Sequence, residues 1–568
     1  MILASNIRRS SIIYSLLLLY FAALALRLPT LNWGGTSPDE YPAAAAKVLL
    51  GELSPTQQYY PPFLNYLTAV AYAFYYAIGR LVGWWNSAVA FRAAYFSNVT
   101  QFYVLSRLVV AALASTVAPL TFLLAIEQGI RLRAALALAA IVAVLPASVF
   151  WSEIAKSDSA LGPAFLLVSL MLFRFYEEPE RLDRQVALAA SIAISVSLKQ
   201  SAVFFLTPIV LISFAATMYA QPQKFVGVRA WLSTAFFAAL IWIPLNIGLL
   251  LNVRGFIDAQ IVQSQMSLRN AGFADSVAAW FSTATSEEAG IPIWALLIWV
   301  AVPAVCLFVL RNARIRFRLL SMWVSTLVAS IIIIILAGTR QNNQLILPYS
   351  VVMTTTVLLL LGHFVEGSSR KMRAGAAAGL VLMGGLFAVQ SSFIIRQALA
   401  EPVALNVASA VVRFAPSGTR ILSDIDLSSY LPLSSIGAAE TRERNERLAA
   451  KYSVQLPPVA EERLRFQADG YIIRNYPFVI GGLENVNAKD MKVILPFAWP
   501  LQPEEWRLDY WLARNYRMFV FQQSMLQHQV AVYHDFFVSI SQACTRLATI
   551  PAKKSLILED TMLIYRCS

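Results

Sequence analysis

Residues 60–85 read YPPFLNYLTAVAYAFYYAIGRLVGWW, and whether this stretch crosses a membrane or lies along one decides how the rest of the chain is threaded. It is long and apolar enough to span. Pro61-Pro62 at its start and its many tyrosines instead suit a helix lying in the interface, where amphipathic rings sit at headgroup level. Loop charge separates the two readings. If 60–85 lies on the outer surface, inside one long loop of about 29–103, then the loops at Arg131-Leu132-Arg133, 221–229, 311–318 and 370–373 all face the cytosol and all are basic, as the positive-inside rule requires. Only the 177–184 loop carries mixed charge. If 60–85 spans, every later basic loop moves to the outer face. The stretch is therefore read as interfacial.

The composition admits no soluble class: 58% of the 568 residues are hydrophobic, only 14% are charged, and the mean hydropathy is +0.60. An excess of 45 Lys+Arg over 32 Asp+Glu would suit nucleic acid. Most of the positive residues lie in short loops between apolar runs, where they set orientation, so no nucleic-acid partner is expected. The apolar run Ser11 to Leu28 follows Arg8-Arg9 without a convincing small-residue cleavage site and reads as a retained signal anchor with a cytosolic N-terminus. Further runs near 104–127, 133–151, 159–176, 185–199, 201–219, 230–251, 291–310, 319–337, 344–363 and 374–394 bring the expectation to about eleven transmembrane helices.

After Arg396 the hydrophobic density falls. Strand-like pieces (Arg420 to Ile425, Gly470 to Ile473, Ser555 to Leu558, Thr561 to Tyr565) alternate there with helical ones (Thr441 to Lys451, Glu504 to Tyr516). The fold class expected is thus an α-helical polytopic membrane module, residues 1–395, followed by an exported, periplasmic or extracellular α/β domain, residues 396–568. Cys306 lies inside a span, and no CxxC or His/Cys cluster points to zinc. Cys544 and Cys567 are the one pair open to an exported disulfide.

Candidate chemistry gathers where this topology puts the outer ends of spans. Ser37-Pro38-Asp39-Glu40 follows the first span. It reads equally as a helix start, with Ser37 as N-cap, Pro38 at the first position and Glu40 closing a capping box, or as a pair of carboxylates held rigidly beside a substrate. Lys156 with Asp158, Lys199 and Arg340 stand at other outer ends, and Arg254 opens a long outer loop. Singly they are snorkelling or capping residues. Together, cations facing a carboxylate suit a reaction with a lipid-anchored phosphate leaving group and a hydroxyl nucleophile that needs a base.

The order of short elements resembles the lipid-carrier-dependent glycosyltransferases of the GT-C fold, the group containing protein O-mannosyltransferases and bacterial aminoarabinose transferases. The elements are Pro38-Asp39-Glu40, Tyr60-Pro61-Pro62-Phe63-Leu64, Ser106-Arg107-Leu108, Leu145-Pro146 with Lys156-Ser157-Asp158, Ser197-Leu198-Lys199, and Arg340 with Leu345-Ile346-Leu347-Pro348, spread over about 1–400. The resemblance implies transfer of a hexosyl or pentosyl group from a polyprenyl-phosphate-linked sugar donor to a lipid, glycan or protein acceptor on the extracytoplasmic side, with inversion. On that pattern Asp39 is the general base, Glu40 orients acceptor or sugar, Asp158 lines the cavity, and Lys199 and Arg340 hold the carrier phosphate, with Lys156, Tyr60 and Arg254 beside them. No cofactor is required. Asp39, Glu40 and Asp158 are the set that would take a divalent cation, Mg or Mn, if one is used.

Two departures narrow the expectation. Tyr60 stands where the aminoarabinose branch has Lys, and the region after about 396 lacks the β-trefoil repeats of eukaryotic protein O-mannosyltransferases. A bacterial inner-membrane enzyme is the reading, surrounded by membrane lipids as partners. Its rivals are a transporter or flippase of a lipid-linked substrate, which would show inverted repeats, and a catalytically silent GT-C-like scaffold.

Overall fold

The computed structural model describes residues 9–32, 40, 42–54, 60–97, 99–220, 224–267, 272–285, 301, 310, 312–338, 343–367, 370–425, 427, 428, 430–440, 443, 470–475, 503–527, 531–552 and 560–568. The expected span 291–310 and the pieces 441–451 and 555–558 fall largely or wholly outside them. In chain order the helices begin with α1 (Arg9–Arg27), α2 (Pro42–Leu49), α3 (Phe63–Leu81), α4 (Ala88–Ser97), α5 (Thr100–Ser115), α6 (Val117–Glu127), α7 (Leu132–Ala143) and α8 (Pro146–Trp151). They continue with α9 (Asp158–Glu177), α10 (Leu182–Leu198), α11 (Val203–Ala220), α12 (Lys224–Leu245), α13 (Ile247–Leu251), α14 (Val253–Ser267) and α15 (Phe273–Ala284). Then come α16 (Ala313–Ala337), α17 (Asn343–Gly367), α18 (Arg370–Ala398), α19 (Val403–Phe414), α20 (Leu508–Leu512) and α21 (Ala531–Ala543).

Among the described residues, eight helical stretches are long and apolar enough to cross a membrane. They match the expected runs at 11–28, 104–127, 159–176, 201–219, 230–251, 319–337, 344–363 and 374–394. The two remaining described runs are shorter in the structure. The run 133–151 is broken at Val144-Leu145-Pro146 into α7 and α8, because proline offers no amide to the helix ladder. The run 185–199 becomes α10, which ends at Leu198 where Lys199 turns to extended backbone. Helix α3, the stretch read as interfacial, is not among the eight. It leaves Val70, Phe74, Ile78 and Leu81 exposed along one side while burying Thr68, Ala69, Tyr72 and Gly79 on another.

Helices α9 and α17 form the centre of the bundle: 78% and 89% of their apolar windows are buried inside the protein. Gly162 permits their contact, since a Cβ there would lie 2.9 Å from Val351 Cβ. At Gly248 a Cβ would lie 1.8 Å from the Leu53 carbonyl oxygen, so only glycine lets the start of α13 meet the segment at Leu53. Tyr66 fastens this contact, its hydroxyl donating to Leu53 O (2.8 Å) and accepting from Gly248 N (2.9 Å).

The C-terminal region carries a five-stranded sheet of order β2-β1-β3-β5-β4, from β1 (Arg420–Ser423), β2 (Ile472–Asn475), β3 (Tyr516–Gln522), β4 (Thr545–Ile550) and β5 (Met562–Arg566). β1 runs parallel to β2 and β3, while β5 runs antiparallel to β3 and β4. Strand β3 is covered on both faces. Met518 and Val520 pack with the Val403, Val407 and Val411 stripe of α19, and Phe519 and Phe521 pack with Phe536, Phe537 and Trp511. A disulfide joins Cys544 to Cys567, the pair the sequence left open, and ties the start of β4 to the end of β5.

Asp424 follows β1 directly. Gln522 N donates to its Oδ2 (2.6 Å), but its Oδ1 is shut off from solvent with no partner among the described residues. Burial, helped by the charge of Asp560, raises its pKa from 3.8 to about 7. The folded domain therefore keeps this proton up to about pH 7 while the unfolded chain releases it near 3.8, so stability falls as the pH rises through that window. Asp424→Asn should unfold at a higher temperature than wild type at pH 8, with the gap narrowing as the pH is lowered toward 5. Thermal unfolding followed by circular dichroism checks this, and equal midpoints at both ends would contradict it.

Candidate functional site

Glu40 is 4% exposed and bonded on every side. Arg107, inside α5, grips both of its oxygens, Nε to Oε1 and Nη2 to Oε2, each at 2.7 Å. The same guanidinium donates from Nη1 to Leu31 O (3.0 Å), and Ala155 N donates to Glu40 Oε1 (2.7 Å). A bidentate Arg–carboxylate pair fixes direction as well as distance. One carboxylate thus pins the end of the first span, α5 and the loop between α8 and α9 to a single point. Asp39, the residue just before it, lies outside the described residues.

Ala155 is followed by Lys156, Ser157 and Asp158, the last opening α9. Asp158 is 2% exposed, and its Oδ1 accepts from Lys199 Nζ at 2.5 Å. Lys199 reaches it from the end of α10 because its extended backbone (φ −160°, ψ 134°) points the side chain back across the helix ends. Lys156 donates to Gln344 Oε1 at the start of α17. Tyr60 lies between the two lysines, its ring 5.8 Å from Lys156 Nζ and 5.4 Å from Lys199 Nζ. Tyr60, Lys156, Asp158 and Lys199, separate in sequence, therefore share one cluster with Gln344.

The cluster has unused hydrogen-bonding capacity. Asp158 Oδ2, Ser157 Oγ and the Tyr349 hydroxyl are buried with no hydrogen-bond partner among the described residues. Tyr349 lies close enough to feel the charge of Asp158. Buried polar groups are usually satisfied, so three such atoms together mark a place where a ligand or water completes the set. The buried Asp158–Lys199 pair points the same way, because two charges withdrawn from water are weak evidence of stabilisation and better evidence of another role.

The other expected site residues fall differently. Arg254 is exposed on α14 and bonds to none of these groups among the described residues. Arg340 lies outside the described residues. Glu40 and Asp158 are neutralised separately, by Arg107 and by Lys199, which disfavours the two sharing a divalent ion. Among the described residues no group of three or more His, Cys, Asp and Glu side chains could hold a metal. Arg107 belongs to the site yet carries no role in the sequence analysis. The available signal was an arginine inside an apolar span, which is costly unless paired. Gln344 and Tyr349 gave no such signal.

Beside the Glu40–Arg107 pair lies an apolar cavity of about 230 Å³ between α2, α3, α4 and α5. Its walls are Ala43, Ala46, Tyr72, Tyr76, Phe91 and Phe102, and Lys47 and Arg92 also line it. The Tyr72 hydroxyl bonds Ser106 Oγ (2.7 Å), next to Arg107, so cavity and ion pair share a wall.

Fold and site together define a polytopic helical membrane protein. Residues 54–259 match the family model described as dolichyl-phosphate-mannose-protein mannosyltransferase. No curated protein sequence matches the chain. Among solved structures, the chain is similar to ArnT from Cupriavidus metallidurans in the apo state, at 11% identity over 97% of each chain with a TM-score of 0.49. It is also similar to the mycobacterial arabinofuranosyltransferase AftD, at 15% identity and TM-score 0.43, covering 99% of this chain and 40% of that one. A third is the Archaeoglobus fulgidus oligosaccharyltransferase, solved with Zn and sulfate, at 12% identity and TM-score 0.44 over 90% of this chain and 68% of that one.

Glu40→Gln keeps the shape of the side chain and leaves Arg107 charged, buried and without its counter-ion. Removing one partner of a buried pair costs about 3–5 kcal/mol. The expected result is a variant with a clearly lowered unfolding temperature in detergent, whereas Arg181→Gln, at an exposed pair with Asp183 (2.8 Å), should unfold like wild type. Equal melting of Glu40→Gln and wild type would show that the pair does not hold the site together.

Proposed function

We propose that the protein is a membrane glycosyltransferase that moves a sugar from a polyprenyl-phosphate carrier to an acceptor hydroxyl on the extracytoplasmic side, with inversion. The observation that carries the reading is the Tyr60–Lys156–Asp158–Lys199 cluster. It holds two ammonium groups, a half-satisfied buried carboxylate and unpartnered hydroxyls at helix ends that loop charge assigns to the outer face. Two lysines suit a phosphate leaving group, whose charge grows as the glycosidic bond breaks. Arg340 is assigned to the same phosphate, and Arg254 to a more peripheral contact. The family match over 54–259, which contains all four residues of the cluster, supports the same class of chemistry.

In this proposal Asp39 takes the proton of the acceptor hydroxyl, since a carboxylate of ordinary pKa is ionised at neutral pH. Glu40, with both oxygens committed to Arg107, acts as a positioning residue that holds the backbone beside Asp39. Asp158 lines the sugar cavity and Lys199 balances its charge. The apolar cavity at Ala46, Tyr72 and Phe102 has room for part of a hydrocarbon chain, which favours substrates delivered within the membrane. The carrier is the activated donor, so no cofactor enters the scheme.

We further assign residues 1–395 to the transferase module and 396–568 to a periplasmic domain of a bacterial inner-membrane protein. Two features favour the division. The last long apolar helix ends at Ala398, and α19 shares its core with β1, β3 and β5 rather than with the bundle. The disulfide favours an oxidising face.

The test compares lipid and glycan extracts, by mass spectrometry, from cells making wild type or Asp39→Asn. The expected outcome is a sugar-phosphate polyprenyl that accumulates with the variant and a glycoconjugate that disappears. Identical extracts, with the variant folded and present in the membrane, would overturn the assignment of Asp39.

A further inference from the structure

The C-terminal domain holds a second, polar cleft of about 230 Å³ at the opposite end of β1 from Asp424. It is formed by the turn from Phe414 to Arg420, by Asn515, Arg517 and Met518 at the start of β3, and by Arg566 at the end of β5. Three arginines thus contribute to the lining of one small concavity, although the Arg420 guanidinium itself lies over the Tyr516 ring. The backbone around them is unusual for so short a sheet. Arg420 pairs with Tyr516 but Ile421 pairs with Met518, so Arg517 has no opposite number on β1 and sits in a bulge. Bulges re-aim side chains and recur next to binding sites.

The bulge is entered through Asn515 at φ 62°, the one non-glycine residue with positive φ among the described residues. Across the cleft Gly418 takes φ 77° and donates its N–H to Gly470 O (2.9 Å). Left-handed backbone at a non-glycine residue costs free energy and is retained where surrounding structure or function demands it. The Cys544–Cys567 disulfide fixes the strand end that carries Arg566.

Two of the three arginines are already engaged. Arg420 pairs with Glu440 (3.1 Å) and lies over the Tyr516 ring, and Arg517 donates from Nη1 to Ser568 O (2.9 Å). Arg566 is exposed, and its side chain has no hydrogen bond or ion pair among the described residues. Nor do they serve the end of α19, whose C-cap carbonyl at Ala415 accepts from the Tyr471 hydroxyl (3.3 Å). The uncommitted Arg566 guanidinium next to Arg517 leaves positive charge in a concave, polar space. Guanidinium forks match the paired oxygens of phosphate.

We propose that this cleft binds a phosphate group through Arg566 and Arg517. The site is separate from the membrane cluster and does not depend on the activity assigned to it. Its phosphate comes from one of two sources: the headgroup of an anionic lipid in the facing leaflet, or a phosphate ester in solution.

The test uses the full chain in nanodiscs of phosphatidylcholine, titrated with inorganic pyrophosphate by calorimetry at two salt concentrations. Wild type should bind saturably and more weakly at high salt. Arg566→Gln and Arg517→Gln should each weaken binding by tenfold or more, and Arg507→Gln, an exposed arginine paired with Asp509 outside the cleft, should bind as wild type does. Arg566 is exposed, so its substitution leaves the fold intact, and an unchanged melting curve confirms that. Repeating the titration in nanodiscs containing phosphatidylglycerol identifies the source: loss of pyrophosphate binding shows that the headgroup fills the cleft, and unchanged binding shows that a soluble phosphate does. No saturable binding in phosphatidylcholine nanodiscs, or equal binding by the cleft variants and wild type, overturns the proposal.

Discussion

The bidentate pair between Glu40 and Arg107 is the contact on which the rest of the membrane site depends. Both side chains are almost fully withdrawn from solvent, at 0% and 1% exposure, so neither has water to fall back on. Their geometry reaches further than the pair itself. Arg107 holds the Leu31 carbonyl at the end of the first span, and Glu40 holds the Ala155 amide in front of Lys156 and Asp158. Chain segments more than a hundred residues apart are thereby brought to one place, and the residues flanking these anchor points carry the candidate chemistry. In an apolar environment such a pair has no weaker substitute, because breaking it strands a charge.

That arrangement gives Glu40 and Asp158 different characters. Glu40 has spent its acceptors on Arg107 and Ala155. Asp158 has spent one oxygen on Lys199 and keeps the other buried and unpartnered, near the hydroxyls of Ser157 and Tyr349. A carboxylate with nothing left to offer is suited to holding backbone in place; one with a free oxygen inside a polar pocket is suited to meeting a ligand.

The long helices were legible in the sequence because a hydrocarbon slab demands about 20 consecutive apolar residues, and few other folds produce such runs. Lys156, Asp158 and Lys199 could be singled out by the same logic, as charged residues where loop charge puts the outer face, whereas Tyr60 was marked only by the family resemblance. What joins them could not. The contact of Glu40 with Arg107 links residues far apart in the chain, and no local period encodes it. Gln344 and Tyr349 look like the ordinary polar residues of a membrane helix. The break between α7 and α8 was written in Leu145-Pro146, but its length cost, one crossing divided between two short helices, became visible only in three dimensions. In the C-terminal region β1, β2 and β5 stood out between turn signals. Strand β3 begins at Tyr516, directly after Asn515, a single turn residue at the end of an otherwise helical pattern, and the bulge at Arg517 leaves no trace in the sequence.

The central claim is that the bundle performs transfer chemistry on a carrier phosphate rather than moving a lipid or serving as a scaffold. It is tested most directly with purified protein in nanodiscs, supplied with the lipid extract of cells making Asp39→Asn and followed by mass spectrometry for release of free polyprenyl phosphate. The account predicts release by wild type when the cells' own glycan fraction is added, and none by Asp39→Asn. Absence of release by wild type, while reconstituted vesicles carry the intact sugar-linked lipid from one leaflet to the other, would contradict it.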